Sequence, residues 1–271
     1  MQGQCPILDL HGWDVYRAKE MSTHTVFPCP TQAVPASAEQ NCGPASPGMT
    51  ALPILQDYFQ ILFDALGPQK WWPGRTRFEI IVGAILTQNT SWTNVEVAIR
   101  ALRRERLLAP AAIGRMPVDK LATLIRSSGY FRQKARKLQE FVRFLNSKHG
   151  RSLNRMFKRP TKELREQLLG VHGIGPETAD SILLYAGKHP VFVVDAYARR
   201  ILERHVLVPG KSSYEELRGL FERSLPRDVT VFNEFHALIV SVGKQFCKPT
   251  SPNCMACPLN CFLPQRIEGA Q

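Results

Sequence analysis

Three groups of residues in this chain have the types and spacings that chemistry requires. The first is a carboxylate, Asp195, which follows the apolar run Val191-Phe192-Val193-Val194 and precedes Ala196-Tyr197-Ala198-Arg199-Arg200. A carboxylate so placed can stabilise a developing positive charge or direct a water molecule. It can also simply cap the helix that follows it. The second group is the turn Gly173-Ile174-Gly175, twenty residues before Asp195, with Pro176 and Glu177 opening the next helix. Glycines let a backbone come close to a phosphate, and the free amides of a helix start can bind it. An ordinary turn between two helices would use the same residues. The third group is Cys247-x6-Cys254-x2-Cys257-x3-Cys261, four thiols within 15 residues. Such a set binds an iron–sulfur cluster or zinc.

Aromatic and basic residues add to these. Trp71-Trp72-Pro73 precedes an apolar stretch, and Trp92 follows the turn Thr87-Gln88-Asn89-Thr90-Ser91. Tryptophans are commonly core residues, but an indole face also attracts a flat cation. Gln88 reads either as a solvated helix end or as a group bordering a binding gap. Arg132, Lys134, Arg136 and Lys137 follow Gly129-Tyr130-Phe131 and could face a polyanion or form a solvated helix face. His172, His189 and His236 have no partner visible in the sequence.

The elements that must position these groups are helices. Leu55, Tyr58, Phe59, Leu62, Phe63 and Leu66 recur at spacings of three and four, which predicts an amphipathic helix ending near Gly67. Residues 76–88 are apolar nearly all round, as in a buried central helix. Further helices are expected at about 92–106, 117–127, 131–148, 161–170, 176–187, 195–204, 213–223 and 229–246. Residues 191–194 are the one strand-like stretch. The fold class is all-α, with two helical lobes and a cleft between them. Residues 1–48 are expected to be a disordered leader, rich in Pro, Ala, Ser, Thr and Gln after residue 22. Met21 and Met49 are plausible alternative starts, so part of the leader is expected to come from an overextended reading frame.

The charge follows this division. The leader holds Arg17 and Lys19 against Asp9, Asp14, Glu20 and Glu39, a net of −2, so the other 223 residues carry +14 of the chain's +12. A basic folded part points toward a polyanion. No run of 18 apolar residues suits a membrane span, and no basic-then-apolar start suits a secretory signal. Four of the seven cysteines crowd together while Cys5, Cys29 and Cys42 scatter through the leader, which reads as a metal site in a reducing compartment rather than a disulfide framework.

Taken together, the hairpin with its Gly173-Ile174-Gly175 turn, Asp195 twenty residues on and the basic turn after it resemble the helix-hairpin-helix, Gly/Pro-rich, Asp signature of endonuclease III-type DNA glycosylases. Residues 81–90 (IVGAILTQNT) are similar to that family's central helix and base-entry turn, and Gly243-Lys244-Gln245-Phe246-Cys247 to the lead into its cysteine loop. The resemblance covers roughly residues 50–262. It implies a glycosylase domain over 49–271, with the hairpin at about 169–188 and the cysteine loop at 247–261. The implied partner is double-stranded DNA with a damaged base, and the protein is expected to be a monomer, cytoplasmic and at the nucleoid, with no membrane contact.

Residue by residue, the resemblance makes Asp195 the catalytic carboxylate facing the sugar of a flipped nucleotide. Gly173, Gly175 and Lys248 would hold DNA phosphates. Cys247, Cys254, Cys257 and Cys261 would bind a [4Fe–4S] cluster, with zinc or no metal as the alternatives. The family usually has five residues in the last interval, where Pro258-Leu259-Asn260 supplies three. Family members that also cut the strand carry a lysine nucleophile just after the hairpin; here that position is Glu177, which cannot form a Schiff base. A monofunctional enzyme follows, with little or no lyase activity. Trp71, Trp72, Trp92, Gln88 and Glu177 together resemble the base pocket of the 3-methyladenine glycosylase branch. An indole would attract such a cationic purine, whose glycosidic bond is already weak. Thymine-mismatch and oxidised-base glycosylases, and a non-catalytic DNA-structure binder, are the rival readings.

Overall fold

A computed structural model describes residues 51–69, 71 and 74–263. The leader expected at 1–48, and Trp72, lie outside the described residues. Among those described there is no strand, and no helix is long and apolar enough to cross a membrane.

The first helix, α1 (Ala51–Leu66), buries Leu55, Tyr58, Phe59 and Leu62, and Gly67 ends it at φ +66°. The second, α2 (Arg77–Leu86), starts where Thr76 accepts the amide of Glu79 at 3.1 Å. Phe78, Ile80, Ile81, Val82, Ile85 and Leu86 are all buried, so α2 is central, as its all-round apolar sequence predicts. In α3 (Trp92–Arg104), Val95, Ala98, Ile99 and Leu102 form the buried stripe. Two short helices, α4 (Pro110–Arg115) and α5 (Val118–Leu124), lead to the long α6 (Phe131–His149). Then come α7 (Leu153–Phe157), α8 (Thr161–Leu169) and α9 (Pro176–Ser181). The last continues as a π-helical turn, Ile182–Gly187, before α10 (Ala196–Arg204), α11 (Tyr214–Ser224) and α12 (Val229–Gln245).

Packing divides the helices into two groups. α2 through α7 pack on one another around α6, whereas α1 packs on α11 and α12, and α10 packs on α12. The N-terminal helix thus joins the C-terminal ones. Between the groups runs the hairpin helix: α9 and its π turn touch α2 on one side, and the π turn touches α12 on the other.

Three expectations need correction. Residues 191–194 are extended and buried but pair with no strand; Phe192 N donates to Glu222 Oε1 (3.1 Å) and Val194 N to the Tyr214 hydroxyl (3.4 Å). Side chains replace a ladder there. The helices at 110–115 and 153–157 are too short to print a period in the sequence, and so escaped it. The helix expected over 176–187 is α-helical only to Ser181, and the π turn then shifts its register.

Candidate active site

The extended, apolar 191–194 segment is anchored by Phe192, stacked on Phe221 at 4.0 Å, and it delivers Asp195 to the start of α10. Asp195 caps that helix: its Oδ1 accepts the amides of Tyr197 (2.9 Å) and Ala198 (2.8 Å). The other oxygen, Oδ2, lies 3.5 Å from His236 Nε2, and 15% of the Asp195 side chain remains open to solvent. Burial alone would raise the Asp195 carboxyl. The attraction and hydrogen bond of His236, with the amides of Ala198 and Tyr197, outweigh that and hold it below its ordinary range. Capping and a poised, ionised carboxylate are therefore one arrangement, not rival ones.

His236 is the residue that the sequence did not reveal. It sits buried on α12, and its Nδ1 meets the Tyr185 hydroxyl at 2.6 Å. Tyr185 comes from the π turn. Trp71 stacks on the imidazole, 5.4 Å between centroids and 16° from parallel, and meets Tyr185 edge-on at 5.4 Å. Glu177, at the start of the hairpin helix, keeps much of its surface open to solvent yet stands near the same groups. Partial burial and then the Asp195 charge push its carboxyl up, against a smaller pull from His236. Asp195, His236, Tyr185, Trp71 and Glu177 thus form one cluster.

The structure places the other predicted residues elsewhere. Trp92 covers Gly83 of α2, where an added Cβ would lie 3.3 Å from its ring, and its Nε1 donates to Glu96 at 3.0 Å. No ring contact joins it to Trp71 among the described residues. Gln88 is committed to the hairpin: Nε2 donates to the Gly173 carbonyl (3.0 Å) and to Thr178 Oγ1 (2.9 Å), while Oε1 accepts from Lys137 Nζ at 2.5 Å. Gly173 needs its φ of +86°, and a Cβ there would meet the Lys137 side chain at 2.5–2.7 Å. Gly175, by contrast, faces open space, with nothing within 4 Å of an added Cβ. Of the four basic residues at the start of α6, Arg132 and Arg136 are exposed. Lys134 is buried instead, donating to the carbonyls of Leu86 (2.9 Å) and Ser128 (2.5 Å). Burial, with Lys137 nearby, lowers its amine to about 8. Tyr130 escaped the sequence reading too: it is 65% exposed in the left-handed region, at φ +43°.

The cysteine loop is lashed to the helix that Asp195 begins. Arg200 Nε donates to the Cys247 carbonyl (2.8 Å); Arg204 donates to the carbonyls of Lys248 (2.6 Å) and Pro249 (2.8 Å) and to Cys247 Sγ (3.2 Å). Arg200 and Arg204 of α10 therefore hold this loop, while the Lys248 side chain is exposed. Phe262, one residue after Cys261, packs on Tyr58 of α1 at 4.8 Å. Cys247, Cys254 and Cys257 line one concavity, together with Arg204 and His205. All four thiols are free of disulfides. Burial pushes the Cys257 thiol up, and the nearby Cys247, Cys254 and Cys261 add to the effect against an amide hydrogen bond at Leu259. Among the described residues no three His, Cys, Asp or Glu side chains converge on a single ion.

Comparisons with known proteins agree with this architecture. The profile of the HhH-GPD superfamily base excision DNA repair proteins matches residues 82–227. A protein of Methanocaldococcus jannaschii, named among the DNA repair glycosylases, is 45% identical over 211 residues, 77% of this chain and 95% of that protein. Endonuclease III of Thermotoga maritima is 29% identical over 191 residues, 70% of this chain and 82% of the enzyme. Among solved structures, the H. pylori 3-methyladenine DNA glycosylase bound to 1,N6-ethenoadenine superposes with a TM-score of 0.63 at 29% identity, covering 73% of this chain and 98% of that one. A non-covalent endonuclease III–DNA complex shares the fold, with a TM-score of 0.67 at 23% identity over 78% of this chain and 94% of that one. With a carboxylate at the head of a helix behind a glycine hairpin, and with these relatives, the chain belongs to the HhH-GPD superfamily of base excision DNA repair proteins.

Proposed function

We propose that this glycosylase is monofunctional and hydrolyses the N-glycosidic bond of a flipped alkylated purine such as 3-methyladenine. The observation that carries the reading is Asp195, its side chain 15% exposed and facing His236, on which Trp71 stacks, with Glu177 where a strand-cutting relative would carry lysine. As the base departs, positive charge grows on the sugar, and an ionised carboxylate facing it lowers the barrier. Trp71, partly exposed and stacked on His236, is the indole that would meet a cationic base. The 3-methyladenine glycosylase of H. pylori supports this substrate class, being similar over nearly its whole length.

On the DNA side, Gly175 gives an outward backbone with room for a phosphate, and Gly173 makes the turn behind it. Lys248, Arg132 and Arg136 are exposed cations suited to the duplex backbone. Cys247, Cys254, Cys257 and Cys261 would hold a [4Fe–4S] cluster. Four soft thiols within 15 residues, three of them lining one concavity, suit such a cluster. When bound, the cluster would brace the loop that Arg200 and Arg204 tie to α10.

The test is base release from alkylated, T:G-mismatched and oxidised duplexes, with Asp195→Asn alongside and the strands examined before and after alkali. Release of 3-methyladenine by wild type, with breaks appearing only after alkali, is the expected result. Thymine release would overturn the substrate class, and strand breaks without alkali would overturn the monofunctional reading. Tight binding to DNA without base release from any duplex would favour a non-catalytic relative.

A further inference from the structure

We infer that His236 is a positioning residue for the reaction: its Nε2–H, directed by the Tyr185 hydroxyl on Nδ1, holds Asp195 Oδ2 in the orientation that faces the sugar. The inference rests on the glycosylase reading and adds to it a residue that acts through Asp195. His236 Nε2 is buried and makes no hydrogen bond among the described residues; the carboxylate oxygen it faces is Asp195 Oδ2, 3.5 Å away, a distance that a small approach would turn into a bond. Its side chain is only 4% exposed. Tyr185 is buried, and burial, with Asp195 and Glu177 nearby, keeps its phenol protonated. In a neutral ring that hydroxyl donates to Nδ1 at 2.6 Å, which leaves the imidazole proton on Nε2, pointing at Asp195. Were the ring charged, both nitrogens would donate and the Tyr185 hydroxyl would have to turn and accept.

The ring cannot easily turn away. Trp71 stacks on one face, 16° from parallel, and Phe192 meets it edge-on at 6.3 Å. The titratable groups facing it are Asp195 at the head of α10, Glu177 at the head of α9, and Tyr185 in the π turn. The π turn has a clear use here: a continuous α-helix would point residue 185 in another direction. Asp195 is thereby fixed from both sides, Oδ1 by its own helix and Oδ2 by His236. A carboxylate with one free oxygen would otherwise sample rotamers, and an off-angle carboxylate serves the sugar poorly.

The experiment compares wild type, His236→Met, His236→Gln and Tyr185→Phe by single-turnover release from alkylated duplex across pH. Lesion-DNA affinity and thermal melting are measured beside it. His236→Met is expected to lower the rate constant about 10- to 100-fold, in the range of other orienting partners, with lesion affinity kept. The acid limb should move to higher pH, because Asp195 has lost a donor that favours its charged form. His236→Gln should recover part of both effects, and Tyr185→Phe should show a smaller loss with the same displacement. A folded His236→Met with wild-type rate and acid limb would overturn the inference. So would a rate loss matched by lost affinity with the pH profile unmoved. If wild type releases no base from any duplex, the glycosylase reading fails, and carbon-13 NMR titration of Asp195 decides the pair. An upward displacement in His236→Met supports the contact, and coincident titrations refute it.

Discussion

Asp195 Oδ1 accepts the amide hydrogen of Ala198 at 2.8 Å, so the carboxylate is bound by its own helix through one oxygen and leaves the other for the pocket. Structure and chemistry can then be separated by substitution. Asparagine caps a helix as well as aspartate, whereas alanine loses the cap at a cost of about 0.5–2 kcal/mol. Asp195→Asn keeps the cap but loses the charge, so it should melt modestly below wild type at neutral pH and release base about 10²–10⁴-fold more slowly. Asp195→Ala should be equally inactive and melt several degrees lower. Folding lowers this carboxyl, so its stabilisation is present above the ordinary carboxylate range and is lost as pH falls through the lowered value. The advantage of wild type over Asp195→Asn should therefore fade in acid. An active Asp195→Asn enzyme would remove the carboxylate from the mechanism.

Glu177 has the opposite sign. Its folded carboxyl is raised, by partial burial first and then by Asp195, so the folded state binds more protons than the unfolded one. Stability then falls as pH rises from the ordinary glutamate value through the raised one. Glu177→Gln should accordingly melt higher than wild type at pH 7.5, with the difference vanishing near pH 4. Melting curves at the two pH values decide it; a lower melting temperature at pH 7.5 would mean that Glu177 makes a stabilising contact.

How much of this was legible beforehand depends on sequence distance. Asp195, the glycine hairpin and the cysteine loop were readable because each is a local pattern, and α2 because its apolar residues are contiguous. The His236 contact was not readable. α12 reads as an ordinary buried helix, and Tyr185 lies 51 residues away on a π turn that apolar periodicity cannot register. The union of α1 with α10–α12 is equally silent in sequence. The apolar 191–194 run looked like a strand because buried extended residues have the same composition whether or not a neighbour pairs with them.

Trp71 and Trp92, read as one aromatic set, divide between two roles and should respond differently. Trp92 packs on Gly83, so Trp92→Ala removes half-buried area and should cost about 1–3 kcal/mol, less than a fully buried tryptophan. Base release by the folded fraction should be little changed. Trp71 touches His236 and Tyr185 in the pocket. Losing a cation–indole stack of about 0.5–2 kcal/mol should raise KM for an alkylated purine about 2- to 30-fold. The penalty should be smaller for a neutral lesion. Steady-state kinetics on charged and neutral lesions, with melting curves for both variants, test the division. Equal loss on both lesions in Trp71→Ala would show that the ring shapes the pocket without reading charge.

The two hairpin glycines make the sharpest contrast. Gly173 sits at φ +86°, and a Cβ there would overlap the Lys137 stem that reaches Gln88. Gly173→Ala combines backbone strain with that clash and should cost about 1–3 kcal/mol. It should also loosen the tie from Gln88 to the Gly173 carbonyl. At Gly175 φ is −92° and nothing lies within 4 Å of an added Cβ, so alanine fits the folded chain without strain. By restricting the unfolded chain it should even stabilise, by about 0.4–1 kcal/mol. Its methyl group would nevertheless stand where a phosphate must approach. Gly175→Ala should therefore melt at or above wild type and bind duplex DNA more weakly, with a shallower dependence of affinity on salt if a phosphate contact is lost. Anisotropy titrations at two salt concentrations measure it. Wild-type affinity and salt slope in Gly175→Ala would place the backbone contact somewhere other than this turn.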